Sequence, residues 1–301
     1  MNMGDATKLI HPALFRIHLI KCSDGAGATT LLTTMGKSSN QKFKMDDDFT
    51  VCVIKHEGEN IHLQVWDDND LARQSSHYKE ADVEIFLVDV TNENGLNSTI
   101  LTLQNHTTQN SPRTIRMLVA NKVDALDEDE RDEMDTTLER IGRQFNLDGC
   151  ALINATSTDD VKDLVNDITD AAVCRRNFFE NEAELRQKMI VEIKEKIGSL
   201  SPSKSLGFLS GLTENKALND AKKTGLTQLA NALLKQKDTP IAEIVTDIRT
   251  RYPKLDSGKT SQKTKTMLDR FIAESATIST HKSSHSEEKS SAANETTRRY
   301  N

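Results

Sequence analysis

Three short apolar runs constrain this chain most: Val83 to Asp89 (VEIFLVD), Arg116 to Asn121 (RMLVAN) and Cys150 to Asn154 (CALIN). A strand with one wet face alternates apolar and polar residues. A nearly continuous run has no wet face and belongs inside a sheet covered on both sides. Leu14 to Lys21 reads the same way. Between the second and third runs lies DEDERDEMDTTLERIGRQF, where Met134, Leu138, Ile141 and Phe145 recur at spacings of four, three and four. That recurrence is one face of an amphipathic helix. Strands alternating with helices predict an α/β fold with a mostly parallel sheet. Phe49 to Lys55 and Ile61 to Trp66 flank His56-Glu57-Gly58-Glu59, a short polar link with glycine. They predict an antiparallel hairpin at one edge of the sheet.

The pattern changes after about Cys174. Leu185, Met189, Ile193 and Ile197 stand at spacings of four over Asn181 to Ile197, and Gly198 follows at the expected helix end. SPSKSLGFLSG has linker composition. Three further helices are expected: Asn215 to Gln236 with a break near Gly225, Thr239 to Thr250, and Ser261 to Ala276. Thr239-Pro240 suits a cap followed by the first helical residue. Beyond about Thr277 there is almost nothing to bury, so a disordered tail is expected. The 301 residues thus divide into an α/β domain over 13–179, an all-helical module over 180–276 and a tail over 277–301.

Composition excludes several classes. A net charge of −7 and a pI near 5.7 leave no basic excess to neutralise phosphates, so no nucleic-acid partner is expected. The four cysteines (Cys22, Cys52, Cys150, Cys174) are far apart. They suit neither a zinc ribbon nor a disulfide framework and point to a reducing compartment. No apolar run reaches the ~20 residues of a membrane helix. The first residues lack a signal-peptide pattern, and the last, Arg299-Tyr300-Asn301, lack a prenylation box. The expectation is a cytoplasmic protein with no transmembrane segment and no prenyl anchor.

The chemistry gathers at strand ends. The first strand runs into Cys22-Ser23-Asp24-Gly25-Ala26-Gly27-Ala28-Thr29-Thr30, a glycine-rich turn that opens a helix. Backbone N–H groups of such a turn converge on an anion, and a helix N-terminus favours negative charge. The phosphate-loop pattern G-x-x-x-x-G-K-[ST] keeps its second glycine as Gly27 and its hydroxyl as Thr29. Cys22 stands in place of the first glycine and Ala28 in place of the lysine. Two readings fit this segment alone: a phosphate-binding loop, or a glycine-rich βα turn without a ligand. Asn121-Lys122-Val123-Asp124 lies at the carboxyl end of a strand, where open α/β sheets bind ligands. Asp124 there can accept from the N1 and N2 hydrogens of guanine, with Asn121 and the Lys122 stem holding the ring.

Two more segments follow in order: Ile61-His62-Leu63-Gln64-Val65-Trp66-Asp67, and Asn154-Ala155-Thr156 after the last strand and before a helix expected over Val161 to Cys174. Together these segments resemble the Ras superfamily of small GTPases, and Rab-like members most, through LQVWD, LVANKVD and NATSTDDV. The resemblance runs from about Ala13 to Cys174. It implies a doubly wound domain with a six-stranded sheet, bound GTP or GDP with Mg²⁺, and protein partners at a switch surface. Carried over residue by residue, Asp24, Gly25, Ala26, Gly27, Ala28, Thr29 and Thr30 would face the phosphates. Asn121, Lys122, Asp124, Ala155 and Thr156 would face the base, and Thr29 and Asp67 the metal.

The departures are specific. Ala28 removes the ammonium that reaches the phosphates. Asp67-Asp68-Asn69-Asp70 keeps the aspartate of the family's DxxG motif and loses its glycine. Leu71 falls where the family positions water with glutamine. Lys44-Met45-Asp46-Asp47-Asp48 supplies no switch threonine. The resemblance therefore implies GTP hydrolysis that is slow or absent, in a protein of vesicle traffic or signalling. The alternative is a pseudo-GTPase scaffold that binds no nucleotide.

His56, His62 and His77 read as partly exposed histidines, and Asp46 to Asp48 as a solvated acidic loop. Asn215 to Phe271 resembles helical modules of effectors secreted by intracellular bacteria. The tail around Glu287-Glu288 is similar to type IV secretion signals, which would imply export into a host cytosol. A plain disordered tail fits it equally.

Overall fold

The computed structural model describes residues 13–38, 44–45, 49–67, 81–106, 111–200, 212–257 and 262–278. Expectations for Asp46 to Asp48, Asp68 to Leu71, His77, the linker at 201–211 and the tail from Ser279 concern residues outside these.

The sheet is ordered β2-β3-β4-β1-β5-β6-β7. Its strands are β1 (Ala13–Lys21), β2 (Lys44–Met45), β3 (Thr50–His56), β4 (Glu59–Asp67), β5 (Val83–Asp89), β6 (Ile115–Asn121) and β7 (Gly149–Ile153). β4, β1, β5, β6 and β7 run parallel, as the continuous apolar runs require. Every residue of β5 and β6 is buried. β3 and β4 form the expected antiparallel hairpin. Its two turn residues, Glu57 and Gly58, have φ of 49° and 86°. Positive φ at both positions is the turn whose twist matches paired strands. The six longer strands are those expected, and the two-residue β2 extends the hairpin edge.

Alternation within β1, β5 and β6 separates two cores. On one face Phe15, Ile17, Leu19, Ile85 and Val119 pack with Leu31 and Met35 of α1 (Ala28–Ser38). Val161, Leu164 and Ile168 of α4 (Thr158–Ser199) join them. On the other, Ile20, Phe86, Val88 and Leu118 meet Leu103 of α2 (Gly95–His106) and Leu138, Ile141 and Phe145 of α3 (Glu128–Phe145). α3 is the helix read from its stripe. Asp127 and Glu130 close a reciprocal cap at its start, and Asn146 ends it with φ of 51°.

The described residues up to Val173 form one compact unit, and those from Cys174 on a second. The second contains the later turns of α4, α5 (Leu212–Lys235), α6 (Ile241–Arg251), a short 3₁₀ turn (Pro253–Asp256) and α7 (262–278). Its core joins Leu185, Met189 and Ile193 to Leu226, Leu229, Leu233, Ile244, Ile248, Leu268 and Phe271. Arg186 ties its helices by donating to Glu182 and to the carbonyls of Gln236 and Thr239.

Two expected breaks are not breaks. Val161 to Cys174 and Asn181 to Ile197 belong to one helix of 42 residues. No glycine or proline occurs in it before Gly198, so nothing interrupts the backbone. α5 also passes straight through Gly225. A Cβ there would lie 3.0 Å from Tyr252 Cβ and 3.1 Å from Leu255 Cγ, so this glycine permits close packing instead of a bend. The last helix runs to residue 278, two past its expected end.

Candidate functional site: the loops at the carboxyl end of the sheet

The connections from β1 lead to β2–β4 on one side, while β5–β7 lie on the other. The strand order therefore reverses between β1 and β5. Ligands of open α/β sheets bind at such a reversal, beyond the carboxyl ends of the strands. The glycine-rich loop leaves β1 at this point, and Asp89 ends β5 beside it.

The loop has the backbone its sequence suggests. Gly25 and Gly27 have φ of 70° and 88°, where a side chain is strained. Gly27 also has no room, since a Cβ would stand 2.3 Å from Asn121 Nδ2. The Leu31 N–H donates to the Gly27 carbonyl at 2.9 Å and starts α1. The N–H groups of that first turn have no acceptor within the helix. Cys22 is tolerated in place of the first glycine because its side chain turns into the core. Burial pushes its thiol up to about 12, against the opposing hydrogen bonds of Thr99 and Thr102. Ala28 is buried too, its methyl packed with α1 and the sheet. Asp24, Gly25, Thr29 and Thr30 are exposed, and Ala26 is buried.

Asn121 holds the site together. Its Nδ2 donates to the Ala26 carbonyl at 2.8 Å, and its Oδ1 accepts from the Ala155 N–H at 2.8 Å. One buried amide thus links the glycine loop to the loop after β7. Thr34 adds a second tie, its hydroxyl donating to the Ala155 carbonyl at 2.7 Å. Ala155 is therefore committed within the protein. The Thr156 N–H and hydroxyl both donate to Asn154 Oδ1 and shape that loop.

Lys122 has φ of 70°, and its ammonium lies 2.5 Å from Asp89 Oδ2, passing beside Gly25. Asp89 also accepts from the Thr91 N–H and hydroxyl, and its own N–H donates to Ser23 Oγ. Burial raises the Asp89 pKa, but these hydrogen bonds and the Lys122 charge outweigh it and hold the carboxyl below its ordinary value. Asp124 follows in a 3₁₀ turn (Val123–Ala125) whose Val123 carbonyl accepts from Arg131 Nε at 3.0 Å. The Asp124 carboxylate is exposed and has no protein partner among the described residues. It is free to accept from a ligand. Thr29, Thr30, Thr33, Thr34, Lys37 and Thr156 line a cavity of about 250 Å³ beside these loops.

Sequence reasoning missed Asp89, Ser23, Thr34 and Lys21. Asp89 was accessible as the charged end of an apolar strand pointing to the ligand edge. No local signal marks Thr34, whose partner lies 121 residues away.

A parallel sheet with reversed strand order, a glycine loop opening a helix and an Asn-Lys-x-Asp turn bound to it define a small GTPase domain. The sequence model of the ADP-ribosylation factor family matches residues 13–169, just over half of the chain. The chain belongs to that family. It is also similar to Ras-related protein RAB1BV of Beta vulgaris, at 30% identity over 117 residues, 38% of this chain and 49% of that protein. The chain spans about half the length of this curated relative. The Rab likeness read from LQVWD and LVANKVD thus accompanies a match to a sister family.

This fold generally binds guanine nucleotide and Mg²⁺. Thr29 lies at the first turn of α1 and Asp67 ends β4, as a metal site would need. The Asp67 carboxylate, however, has the Lys21 ammonium 3.1 Å from Oδ1. An ammonium against its acidic ligand does not fit a divalent cation.

Among the described residues no helix is long and apolar enough to cross a membrane.

Proposed function

We propose that the first unit is a guanine-nucleotide-binding switch domain with slow or absent GTP hydrolysis. The observation that carries this reading is the Asn121 amide, which joins the glycine loop to the Ala155 loop and leaves the Asp124 carboxylate open beside them. Asp124 accepts from the guanine N1 and N2 hydrogens. Lys122, held by Asp89, offers its stem to one face of the ring. The helix N-terminus at Thr29 and Thr30 faces the phosphates. Slow hydrolysis is supported by sequence: Ala28, Leu71 and the absent switch threonine remove the positioning and charge that phosphoryl transfer depends on. By likeness to Rab and ADP-ribosylation factor proteins, the switch would act in vesicle traffic or signalling through protein partners. The helical module, proposed to span 180–276, would direct it, and the polar tail supports a reading as an exported effector.

The test is titration with GDP, GTP and ATP. Saturable binding of the guanine nucleotides with ATP at least tenfold weaker is expected. Asp124→Ala should weaken GDP by roughly 10–150-fold, the loss of about 1.5–3 kcal/mol from a charged hydrogen bond. Equal affinity for ATP, or an indifferent Asp124→Ala, removes the reading.

A further inference from the structure

β1 ends in a charged residue immediately before the glycine loop. Leu19 stands opposite Asp67 in the parallel register of β1 and β4. Lys21 is two residues further on and shares that face of the sheet. Its four-carbon stem reaches back, and its ammonium comes to 3.1 Å from Asp67 Oδ1, with the two side chains 27% and 24% exposed. Oδ1 is itself shut from solvent and accepts no aligned hydrogen bond. The ammonium is its neutralising partner among the described residues. Meanwhile position 28, where the phosphate-loop motif carries its lysine, holds an alanine that is 3% exposed in the core. One cation has gone from the start of α1, and another stands at the end of the preceding strand.

We infer that Lys21 is the resident cation of this site: it supplies the positive charge at the phosphate end of the cleft and holds Asp67 from a divalent metal, so that guanine nucleotide binds without Mg²⁺. This rests on the nucleotide-binding reading above. Two observations beyond that reading support it. The carboxylate that the fold commits to the metal side is already paired. A divalent ion entering there would set two positive charges beside a third at close range, so it must displace the ammonium or stay out. Lys21 directly precedes the glycine-rich loop that has lost its lysine at position 28, and among the described residues it is the cation paired with the Asp67 carboxylate.

The experiment compares a fluorescent GDP analogue binding to the full chain in Mg²⁺ and in EDTA. The wild type should bind with affinities within about twofold of each other, where a metal-dependent site would lose tenfold or more in EDTA. Lys21→Met should lose at least about tenfold in EDTA, and Mg²⁺ should restore part of it because Asp67 is released. Lys21→Arg should keep metal-independent binding. Electron paramagnetic resonance of added Mn²⁺ gives a second readout. With GDP present, the wild type should leave Mn²⁺ in solution and Lys21→Met should immobilise it. Wild-type binding that collapses in EDTA, or Mn²⁺ held by the wild type, overturns the inference and leaves the nucleotide reading standing. The absence of saturable binding in either buffer rejects both. The wild-type comparison requires no variant, so a poorly folded Lys21→Met protein would not obscure the result.

Discussion

Arg116→Met should destabilise the sheet unit by about 3–5 kcal/mol at neutral pH, as removal of one partner from a buried ion pair does. Arg116 is 4% exposed and Glu84 8%, on neighbouring strands β6 and β5, with Nε 3.5 Å from Oε2. The guanidinium also lies 5.3 Å from the centre of the Phe86 ring. Burial is the main influence on both charges. It raises the Glu84 pKa against the opposing pull of Arg116, and it lowers that of Arg116 against Glu84 and Asp148. Each residue therefore depends on the other to remain charged in the core. Without Arg116, Glu84 is a carboxylate among apolar side chains.

The sign of the pH dependence follows from a folded pKa above the unfolded one. The protonated form is favoured in the folded protein, so the deficit is absent below the unfolded carboxyl value of about 4.3. It grows as pH rises towards the raised folded pKa, then levels off. Urea denaturation of the variant at pH 4 and pH 7 should show the smaller deficit at pH 4. The double substitution Glu84→Leu with Arg116→Met should recover most of the loss, because replacing both partners removes the unpaired charge. A single variant as stable as the wild type at pH 7 would show that the pair is not coupled.

Asn121→Ala should affect stability and ligand binding together. The amide makes two bonds, and its removal strands the Ala26 carbonyl and the buried Ala155 N–H. Each stranded group costs about 1–3 kcal/mol. The loss should appear in denaturation without ligand, and guanine nucleotide affinity should fall at least about tenfold as the two loops separate. Asp124→Ala should lose affinity alone, because its carboxylate holds nothing among the described residues. Comparison of the two separates assembling the site from touching the ligand. Unchanged unliganded stability in Asn121→Ala would mean that Thr34 and the strands hold the loops unaided.

What the sequence disclosed follows the range of each interaction. The central strands were legible because burial on both faces writes a continuous apolar run. The hairpin was legible because glycine at the second turn position states its conformation. Asn121 and Asp124 were legible because one turn holds both, at the edge where the fold binds ligands. The continuity of α4 was not. Its apolar stripe changes from the Val161–Ala172 core to the Leu185–Ile193 core, and a pattern reading takes the interruption for an end. The backbone has no such interruption, since nothing between these stripes prevents helical hydrogen bonding. Lys21 with Asp67, and Arg116 with Glu84, depend on strand register between segments 46 and 32 residues apart, which local spacing cannot express.

The sulfur at Cys22 has a practical consequence. Only the thiolate reacts with alkylating agents and peroxides. With the thiol pushed up to about 12 by burial, it stays protonated at pH 7. Cys52 and Cys150 are each pushed up to about 11, chiefly by burial. Maleimide labelling of the folded protein should therefore pass over the loop, and a cysteine introduced at exposed Thr30 could carry a reporter dye with little background from these three. The same seclusion shields the loop from oxidants, so damage at this sulfur would record that the β1 end of the sheet had opened.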